Sequence, residues 1–368
     1  MTLNLFNNGI HSLVRRWRRG LTFVVLASSA TVAHGQSPKI PIRVVVVTTF
    51  EVGNDTGDRP GELQNWAGKF PLPDSLPLTD TYFGHLRYNP DLQVLAVVTG
   101  QGPQRTAATI TALGQDPRFD LSHAYFVLAG IAGVDPNAGT VGSAFWASYV
   151  VDGSIGHEID AREIPPDWPN GFTPVHHDHP NFQPVPDPNT MFGDNLFKLN
   201  PSLVAWAYAK TKDVKLQDNA ALQAIRGRYT GFPEAQKPPS VMRGDVIATP
   251  IWWIGEKMNS WAEGWVKYWT HDQGSLATTA NEDAGFMEAM SFLAKSKKVD
   301  MNRILILRTA ANFDMQHPGQ TAAELLAGES KQGSLSGYIP SLNAAYEVGN
   351  VVVRELAEHW GKFENDVP

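Results

Sequence analysis

Apolar runs alternate with helical patterns along most of the chain. Continuous stretches of β-branched and other apolar residues are typical of strands buried on both faces. Such stretches occur at 43–49, 91–99, 123–128, 142–151 and 303–307. Residues 104–113 have helical spacing, and the longer pattern at 341–360 predicts a helix docked on the sheet. The alternation predicts an α/β fold, a single domain with a central mixed sheet flanked by helices.

A proline-rich stretch interrupts this alternation. Residues 164–190 contain eight prolines, beginning with Pro165 and Pro166. A loop of this length inside a compact domain is usually functional or an insertion. We therefore expect an insertion at about 164–190.

The N-terminal residues have a different pattern. Four arginines at 15–19 precede an apolar run at 21–32, and small residues follow at 33–35. A basic segment, a short apolar segment and a small-residue cleavage site are typical of a secretory signal peptide. The apolar run is shorter than the ~20 residues of a membrane-spanning helix. We expect cleavage after 1–35 and a periplasmic or secreted domain at 36–368; an uncleaved N-terminal anchor is the alternative.

Charge and composition exclude several classes of protein. The net charge is −7, and removal of the four arginines of residues 1–35, which contain no acidic residue, lowers it to −11. So acidic a chain is a poor partner for nucleic acid. The absence of cysteine excludes thiol nucleophiles, Cys-ligated metals and disulfides. No other apolar run approaches 18 residues, so we expect no membrane-spanning helix in the mature domain.

Two segments of small residues follow predicted strands. In Thr99-Gly100-Gln101-Gly102, the backbone N–H groups of Thr99 and Gly102 can hold an anion, a water or a sugar hydroxyl. In the segment 129–133, small residues such as Gly130 allow a ligand to approach the backbone. A tight turn and close backbone packing are the structural alternatives, and both remain open.

Carboxylates stand at the starts of two predicted helices. Glu51 and Glu62 follow the first strand, and a carboxylate there can activate water. Glu282 and Asp283 begin a helical pattern, where they can cap the helix or accept hydrogen bonds from vicinal hydroxyls of a sugar.

Asn312 and Asp314 follow the apolar run at 303–307. Ligand sites of open α/β sheets lie at the carboxyl ends of strands. An amide and a carboxylate two residues apart can read the edge of a heterocycle there, and a structural turn is the alternative.

Histidines and tryptophans give weaker signals. The segment His176-His177-Asp178-His179 lies in the proline-rich stretch, where consecutive side chains rarely converge on one ion, so we predict no metal site. His157 follows a predicted strand and either enters a site or belongs to a polar loop. Trp252 can stack on a flat base. The tryptophans spaced by four at 261–269 predict the buried face of a helix, in the core or at a subunit interface.

The order of these motifs resembles the purine nucleoside permease family over nearly the whole mature chain. The segments that carry the resemblance are Thr49–Gly53, Gly61–Gln64, Thr99–Gly102, Gly130–Gly133, Gly153–Asp160 and Asn281–Gly285. That family in turn is similar to nucleoside phosphorylases and nucleosidases. The resemblance implies a central mixed, partly barrel-like sheet surrounded by helices.

The resemblance also implies roles for individual residues. Glu62 corresponds to a water-activating carboxylate, and Glu282 and Asp283 to groups that hold the ribose hydroxyls. Asn312 stands where nucleosidases carry an Asp that assists the purine leaving group, and Asp314 would supply the acidity that an Asn lacks.

Further positions are implied to surround the nucleoside. Thr99 and Gly102 lie near the nucleophile, and His157 reaches the 5′-hydroxyl of its own or a neighbouring subunit. Gly130 and Trp252 complete the predicted substrate contacts.

The implied activity is cleavage of the N-glycosidic bond of purine nucleosides. Hydrolysis is favoured because the Gly-Asp-Pro-x-Arg phosphate loop of one phosphorylase branch is absent, and Gly57-Asp58-Arg59-Pro60 is only a rearranged echo of it. Phosphorolysis, with Arg105 binding phosphate, is one alternative. An exported, non-catalytic nucleoside-binding protein that serves transport is the other. No metal or organic cofactor is implied, and a homo-oligomer is compatible with the pattern.

Overall fold

The structure, a computed structural model, describes residues 38–175, 177–180, 195–329 and 337–368. These residues belong to one compact unit that begins at Pro38. The predicted signal peptide at 1–35, His176 and the end of the proline-rich stretch lie outside the described residues.

The described chain contains both strands and helices, and its longest strands span Tyr125–Val134 and Ile304–Phe313. The strands are β1 (Ile40–Pro41), β2 (Val44–Thr48), β3 (Asp74–Pro77), β4 (His85–Asn89), β5 (Val94–Val98), β6 (Phe119–Asp120), β7 (Tyr125–Val134), β8 (Ala144–Trp146), β9 (Tyr149–Asp152), β10 (His157–Glu158), β11 (Phe172–Thr173), β12 (Leu196–Lys198), β13 (Val241–Arg243), β14 (Asp245–Ala248), β15 (Leu276–Ala280) and β16 (Ile304–Phe313). The helices are α1 (Glu62–Lys69), α2 (Pro103–Gln115), α3 (Pro201–Thr211), α4 (Ala220–Arg226), α5 (Glu256–Trp269), α6 (Asp283–Lys295), α7 (Ala322–Glu329), α8 (Tyr338–Glu358) and α9 (Trp360–Phe363).

A large mixed sheet forms the centre of the molecule. Its main path runs β12-β9-β14-β15-β7-β2-β5-β4-β3, and β16 pairs with both β7 and β8. Helix α8 packs on β7 and β16, and α2 packs against α6. The predicted α/β fold with a central mixed sheet and flanking helices is confirmed.

Strand β16 pairs with one edge of β7 from Phe126 to Val134. The other edge of β7 is shared by two different strands. Residues 125–128 pair with β2, which runs parallel, and residues 133–134 pair with β15, which runs antiparallel. The C-terminal ends of β2 and β15 therefore point towards each other along this edge. Between them, the backbone of Ile131 is engaged by two side chains: its N–H donates to Glu62 and its carbonyl accepts from Arg308.

Three strand predictions need correction. The segment 129–133, predicted as a turn, continues strand β7, because parallel pairing with β16 extends to Val134. The single strand predicted at 142–151 is two strands, β8 and β9, which pair with different neighbours. The strand predicted at 303–307 continues to Phe313 as β16.

The proline-rich stretch contributes little regular structure where it is described. Strand β11 pairs antiparallel with β10 and ties the stretch to the segment that contains His157. Within the described part of the chain, no helix is long and apolar enough to cross a membrane.

Candidate active site

A cavity of about 480 Å³ opens where the ends of β2 and β15 approach the middle of β7. Each strand end contributes a polar side chain to its wall, and α1, β7 and β16 supply the remainder. Its lining includes Thr49, Glu62, Gly133, Thr279, Glu282 and Asn312.

Glu62 is a buried carboxylate on this wall, with 3% of its surface exposed. Its Oε2 accepts hydrogen bonds from the backbone N–H (2.5 Å) and the hydroxyl (2.9 Å) of Thr49, and its Oε1 accepts from Ile131 N–H (2.7 Å). These bonds use three of about four acceptor sites of a carboxylate, which leaves one for a ligand. Burial is the main cause that raises the pKa of Glu62 to about 7; the nearby Glu282 also raises it, while Arg308 opposes the rise.

The local fold fixes Glu62 at the first turn of α1. The carboxylate of Glu51 accepts hydrogen bonds from the N–H groups of Gly61 (2.5 Å) and Gln64 (2.7 Å), so Glu51 caps the helix from outside it. A Cβ on Gly61 would lie 2.6 Å from the Glu51 Cα, so only glycine fits there. Of the two carboxylates predicted after the first strand, Glu51 supports the helix and Glu62 lines the cavity.

Arg308 is a buried cation behind Glu62 and is 1% exposed. It donates to both oxygens of Asp283, at 3.0 and 2.7 Å, and to Glu282 Oε2 at 3.1 Å. Burial opposes its charge, but the carboxylates of Asp283, Glu282 and Glu62 outweigh this and raise the pKa of Arg308 above its ordinary value. Gly130 makes this arrangement possible, because a Cβ there would lie 2.6 Å from Arg308 Nη1 and 2.8 Å from Glu62 Oε1.

Glu282 and Asp283 occupy different places despite being neighbours in sequence. Glu282 lines the cavity, and its Oε1 accepts from Gly102 N–H (3.0 Å) at the N-terminus of α2, where the helix dipole favours a negative charge. Asp283 is fully buried, lies outside the cavity lining, and has both oxygens engaged by Arg308. Arg308 therefore engages both oxygens of Asp283 in this structure, and the sugar contact predicted for Asp283 stays a prediction.

The predicted Gly-rich segment at 99–102 is a turn with positive φ at Gly100 and Gly102. Thr99 is buried away from the cavity, with its hydroxyl 3.0 Å from that of Thr106. Gly102 N–H holds the Glu282 carboxylate rather than pointing at a nucleophile. The segment therefore binds an anion, as its pattern suggests, but the anion is a side chain of the protein.

The other end of the cavity is neutral. Asn312 is 3% exposed and lies on the wall, and its Nδ2 donates to the carbonyl of Phe313 at 3.0 Å, which fixes the amide orientation. The irregularity in the pairing of β16 with β7 falls between Ala310 and Asn312, so both Ala311 and Asn312 line the cavity.

Asp314, predicted to assist the leaving group, lies outside the cavity lining and is fully buried. Its carboxylate lies near Asp135 and Glu263, and the amide group of Asn259 is 3.2 and 3.3 Å from its oxygens. Burial first, and then the charge of Asp135, raise the pKa of Asp314 well above its ordinary value. Asp314 nevertheless lies directly behind the cavity wall, since its Cβ is 3.4 Å from the position that a Cβ on Gly133 would occupy. Its role in the departure of the base stays a prediction.

The other predicted contacts divide between the cavity and the surface. Trp252 lines the cavity with 43% of its surface exposed. His157 lies on the exposed strand β10, outside the cavity lining. Arg105 is also outside it and stacks on the ring of Tyr82. Arg59, which carried no weight in the sequence, lines the cavity beside the ring of Tyr338. Within the described residues, no group of His, Asp and Glu side chains is arranged to hold a metal.

Three residues of the site have no role predicted from the sequence: Arg308, Arg59 and Thr279. Arg308 carries a signal in retrospect, since an arginine directly after four apolar residues of a buried strand needs carboxylate partners. Thr279 carries no such signal in the sequence, because threonine is common in β-strands.

Comparison with known proteins agrees with the resemblance seen in the sequence. A family model described as purine nucleoside permease (NUP) matches residues 41–368. A Candida albicans protein named purine nucleoside permease is 28% identical over 273 residues, which cover 73% of this chain and 65% of that protein. A Schizosaccharomyces pombe protein named probable purine nucleoside permease is 28% identical over 279 residues, or 74% of this chain and 78% of that protein.

Solved structures with a similar course of the chain include the following two. One is a Streptococcus pneumoniae 5′-methylthioadenosine/S-adenosylhomocysteine nucleosidase, with a TM-score of 0.49 and 12% identity over 86% of this chain and 99% of that one. The other is the futalosine hydrolase of Helicobacter pylori, with a TM-score of 0.48 and 13% identity over 84% of this chain and 97% of that one. From the family match over residues 41–368, the chain belongs to the purine nucleoside permease family.

Proposed function

We propose that this protein hydrolyses the N-glycosidic bond of purine nucleosides, releasing the free base and ribose. The observation that carries the proposal is Glu62, a buried carboxylate with a pKa of about 7 that lines a cavity of about 480 Å³. A general base is most effective when its pKa lies near the working pH. The family's name supplies the substrate class.

Glu62 would orient and deprotonate the attacking water. Its unused acceptor site on Oε1 is available for a water hydrogen, and Thr49 and Ile131 hold the carboxylate in place. As the water oxygen bonds to the anomeric carbon, its proton passes to Glu62, and the glycosidic electron pair leaves with the base. The base takes up a proton from solvent and Glu62 returns its proton to solvent, so one water is consumed and the products are free purine and ribose.

The charged end of the cavity suits a sugar that becomes positively charged in the transition state. Glu62, Glu282 and Asp283 surround one cation, Arg308. When all are ionised, this cluster has an excess of negative charge next to the cavity, which favours an oxocarbenium-like transition state. Glu282 would accept hydrogen bonds from the ribose hydroxyls, while Asp283 holds Arg308 in position.

The neutral end would receive the base. Asn312 would form hydrogen bonds to the heterocycle and so stabilise the electron pair that leaves with it. Trp252, at the cavity wall, offers an apolar ring for stacking.

Two further candidates have an observation in their favour. Phosphorolysis is favoured by Arg59, a cation on the cavity wall that could bind phosphate. Arg59 takes the role first considered for Arg105, which lies outside the cavity lining and stacks on Tyr82. A non-catalytic nucleoside-binding role in transport is favoured by the names of the relatives, which are permeases. Export of the protein remains part of the proposal and rests on the N-terminal pattern alone.

The variant Glu62→Gln separates catalysis from binding. The full chain and the variant are incubated with inosine and with adenosine, and free base is quantified by chromatography. Binding of each nucleoside is measured by calorimetry. We expect kcat to fall by about 10²–10⁴ in the variant, with little change in nucleoside affinity. Turnover unchanged in the variant would remove Glu62 from the mechanism, and tight binding without turnover in the wild type would favour the transport role.

A further inference from the structure

Thr279 presents a buried hydroxyl without a hydrogen-bond partner among the described residues. The residue is 5% exposed and lies on the cavity wall at the end of β15. A buried hydroxyl left unpaired costs free energy, so such a group is retained where a ligand can satisfy it.

The absence of a side chain at Gly133 leaves this hydroxyl accessible. Gly133 pairs with Thr279 across the two strands, and a Cβ on Gly133 would lie 2.5 Å from Thr279 Oγ1. The same point lies 3.5 Å from Asn312 Nδ2. The two distances add to 6.0 Å, which is the greatest possible separation of the threonine hydroxyl from the asparagine amide nitrogen. Two groups this close can engage neighbouring atoms of one bicyclic base.

The surroundings distinguish this end of the cavity from the sugar end. The wall beside Thr279 includes the small neutral residues Ala132, Gly133, Ala280 and Ala311. Asp314 lies behind Gly133, with its Cβ 3.4 Å from the position that a Cβ on Gly133 would occupy. The carboxylates proposed to act on the water and on the ribose hydroxyls, Glu62 and Glu282, belong to the cluster around Arg308. A flat, neutral, hydrogen-bonding heterocycle therefore fits the Thr279 end.

The neighbouring Thr278 is likewise buried but does not reach the cavity, so burial and access to the cavity are separate properties. Thr278 is also buried, at 1% exposure, and its hydroxyl is also unpaired among the described residues. Because side chains alternate across a strand, it points to the opposite face of β15 and is not part of the cavity wall. Thr278 thus provides a matched control with the same chemistry and no access to the cavity.

We propose that the Thr279 hydroxyl is a specificity-determining group that forms a hydrogen bond to the heteroatom edge of the bound purine, next to Asn312. This inference rests on the proposed function for its substrate class. A site built around a hydrogen bond to its ligand discriminates against analogues that lack the partner atom.

The test compares Thr279→Val with Thr278→Val in the full chain. Valine keeps the branched shape and removes only the hydroxyl, and Thr279→Ser restores it. The substrates are inosine, purine riboside, which lacks the 6-substituent, and 7-deazainosine, which lacks the nitrogen at position 7. Binding of hypoxanthine, purine and 7-deazahypoxanthine is measured in parallel by calorimetry, so that the result does not depend on turnover.

We expect kcat/KM for inosine to fall by about fivefold to tenfold in Thr279→Val and to recover in Thr279→Ser. At least one analogue should be affected by less than about twofold, because the atom that the hydroxyl contacts is missing from it. Thr278→Val should leave all three substrates unchanged. An equal loss on all three substrates, or no loss on inosine, would overturn the inference while leaving the proposed function intact.

The binding of free bases still tests the inference if the protein cleaves no nucleoside. If the wild type cleaves no nucleoside but binds hypoxanthine, a selective loss of affinity in Thr279→Val supports the inference and overturns the reaction. If the wild type binds none of the three bases, the inference is overturned with it.

Discussion

The pKa of Glu62 makes the pH dependence of turnover a sensitive test of the mechanism. The group is an acid whose pKa is raised to about 7, mainly by burial, and only its ionised form can accept a proton from water. Activity should therefore rise with pH and reach a plateau above the pKa. With a pKa of about 7, about half of Glu62 is ionised at pH 7 and about 1% at pH 5.

The expected consequence is a fall of about 50-fold in kcat/KM for inosine between pH 7 and pH 5. The assay follows base release from pH 5 to 8.5 at constant ionic strength, with the fold monitored by circular dichroism at each pH. In Glu62→Gln the residual activity should no longer change with a midpoint near pH 7.

Asp135→Asn is the matched control for this profile. Burial also raises the pKa of Asp135 to about 7, with Glu263 adding to the shift, but Asp135 lies outside the cavity lining. The midpoint should persist in Asp135→Asn. A flat profile in the wild type, or a midpoint that disappears with Asp135 and survives the loss of Glu62, would refute the assignment.

Other substitutions test the supporting structure. Arg308→Met leaves buried carboxylates without their cation and should lower the free energy of unfolding by about 3–5 kcal/mol, as measured by urea denaturation. A variant as stable as the wild type would contradict a stabilising ion cluster. Gly61→Ala should destabilise the protein by about 1–3 kcal/mol through the clash with Glu51, whereas Gly361→Ala, which meets no atom within 4 Å, should not; equal melting temperatures would refute the packing argument. His157→Ala should keep kcat/KM within about twofold of the wild-type value, since the residue is exposed outside the cavity. A large loss would indicate that His157 contacts the substrate.

The strands with continuous β-branched sequence were predictable because burial on both faces leaves an unmistakable pattern. Strands β2 and β5 lie within their predicted ranges. The small-residue segment at 129–133 was misjudged because glycine and alanine indicate a turn locally, while pairing with β16 keeps the segment extended. That pairing joins residues far apart in sequence, which a local pattern does not contain.

The candidate site was predictable in part for the same reason. Glu62 and Glu282 come after buried strands, Asn312 lies within β16, and all three line one cavity. The side of the chain on which Asp283 and Asp314 point depends on the first turn of α6 and on the irregular pairing of β16. The partnership of Arg308 with three carboxylates depends on contacts between separate elements, so it emerged only from the fold.

The identity of the sugar product distinguishes hydrolysis from phosphorolysis. The wild-type full chain is supplied with inosine in phosphate-free buffer and again with added phosphate, and base and sugar are quantified by chromatography and mass spectrometry. If Glu62 activates water, we expect free ribose in amounts equal to the hypoxanthine released, at the same rate in both buffers. Hypoxanthine released only when phosphate is present, together with ribose 1-phosphate, would contradict hydrolysis through a Glu62-activated water.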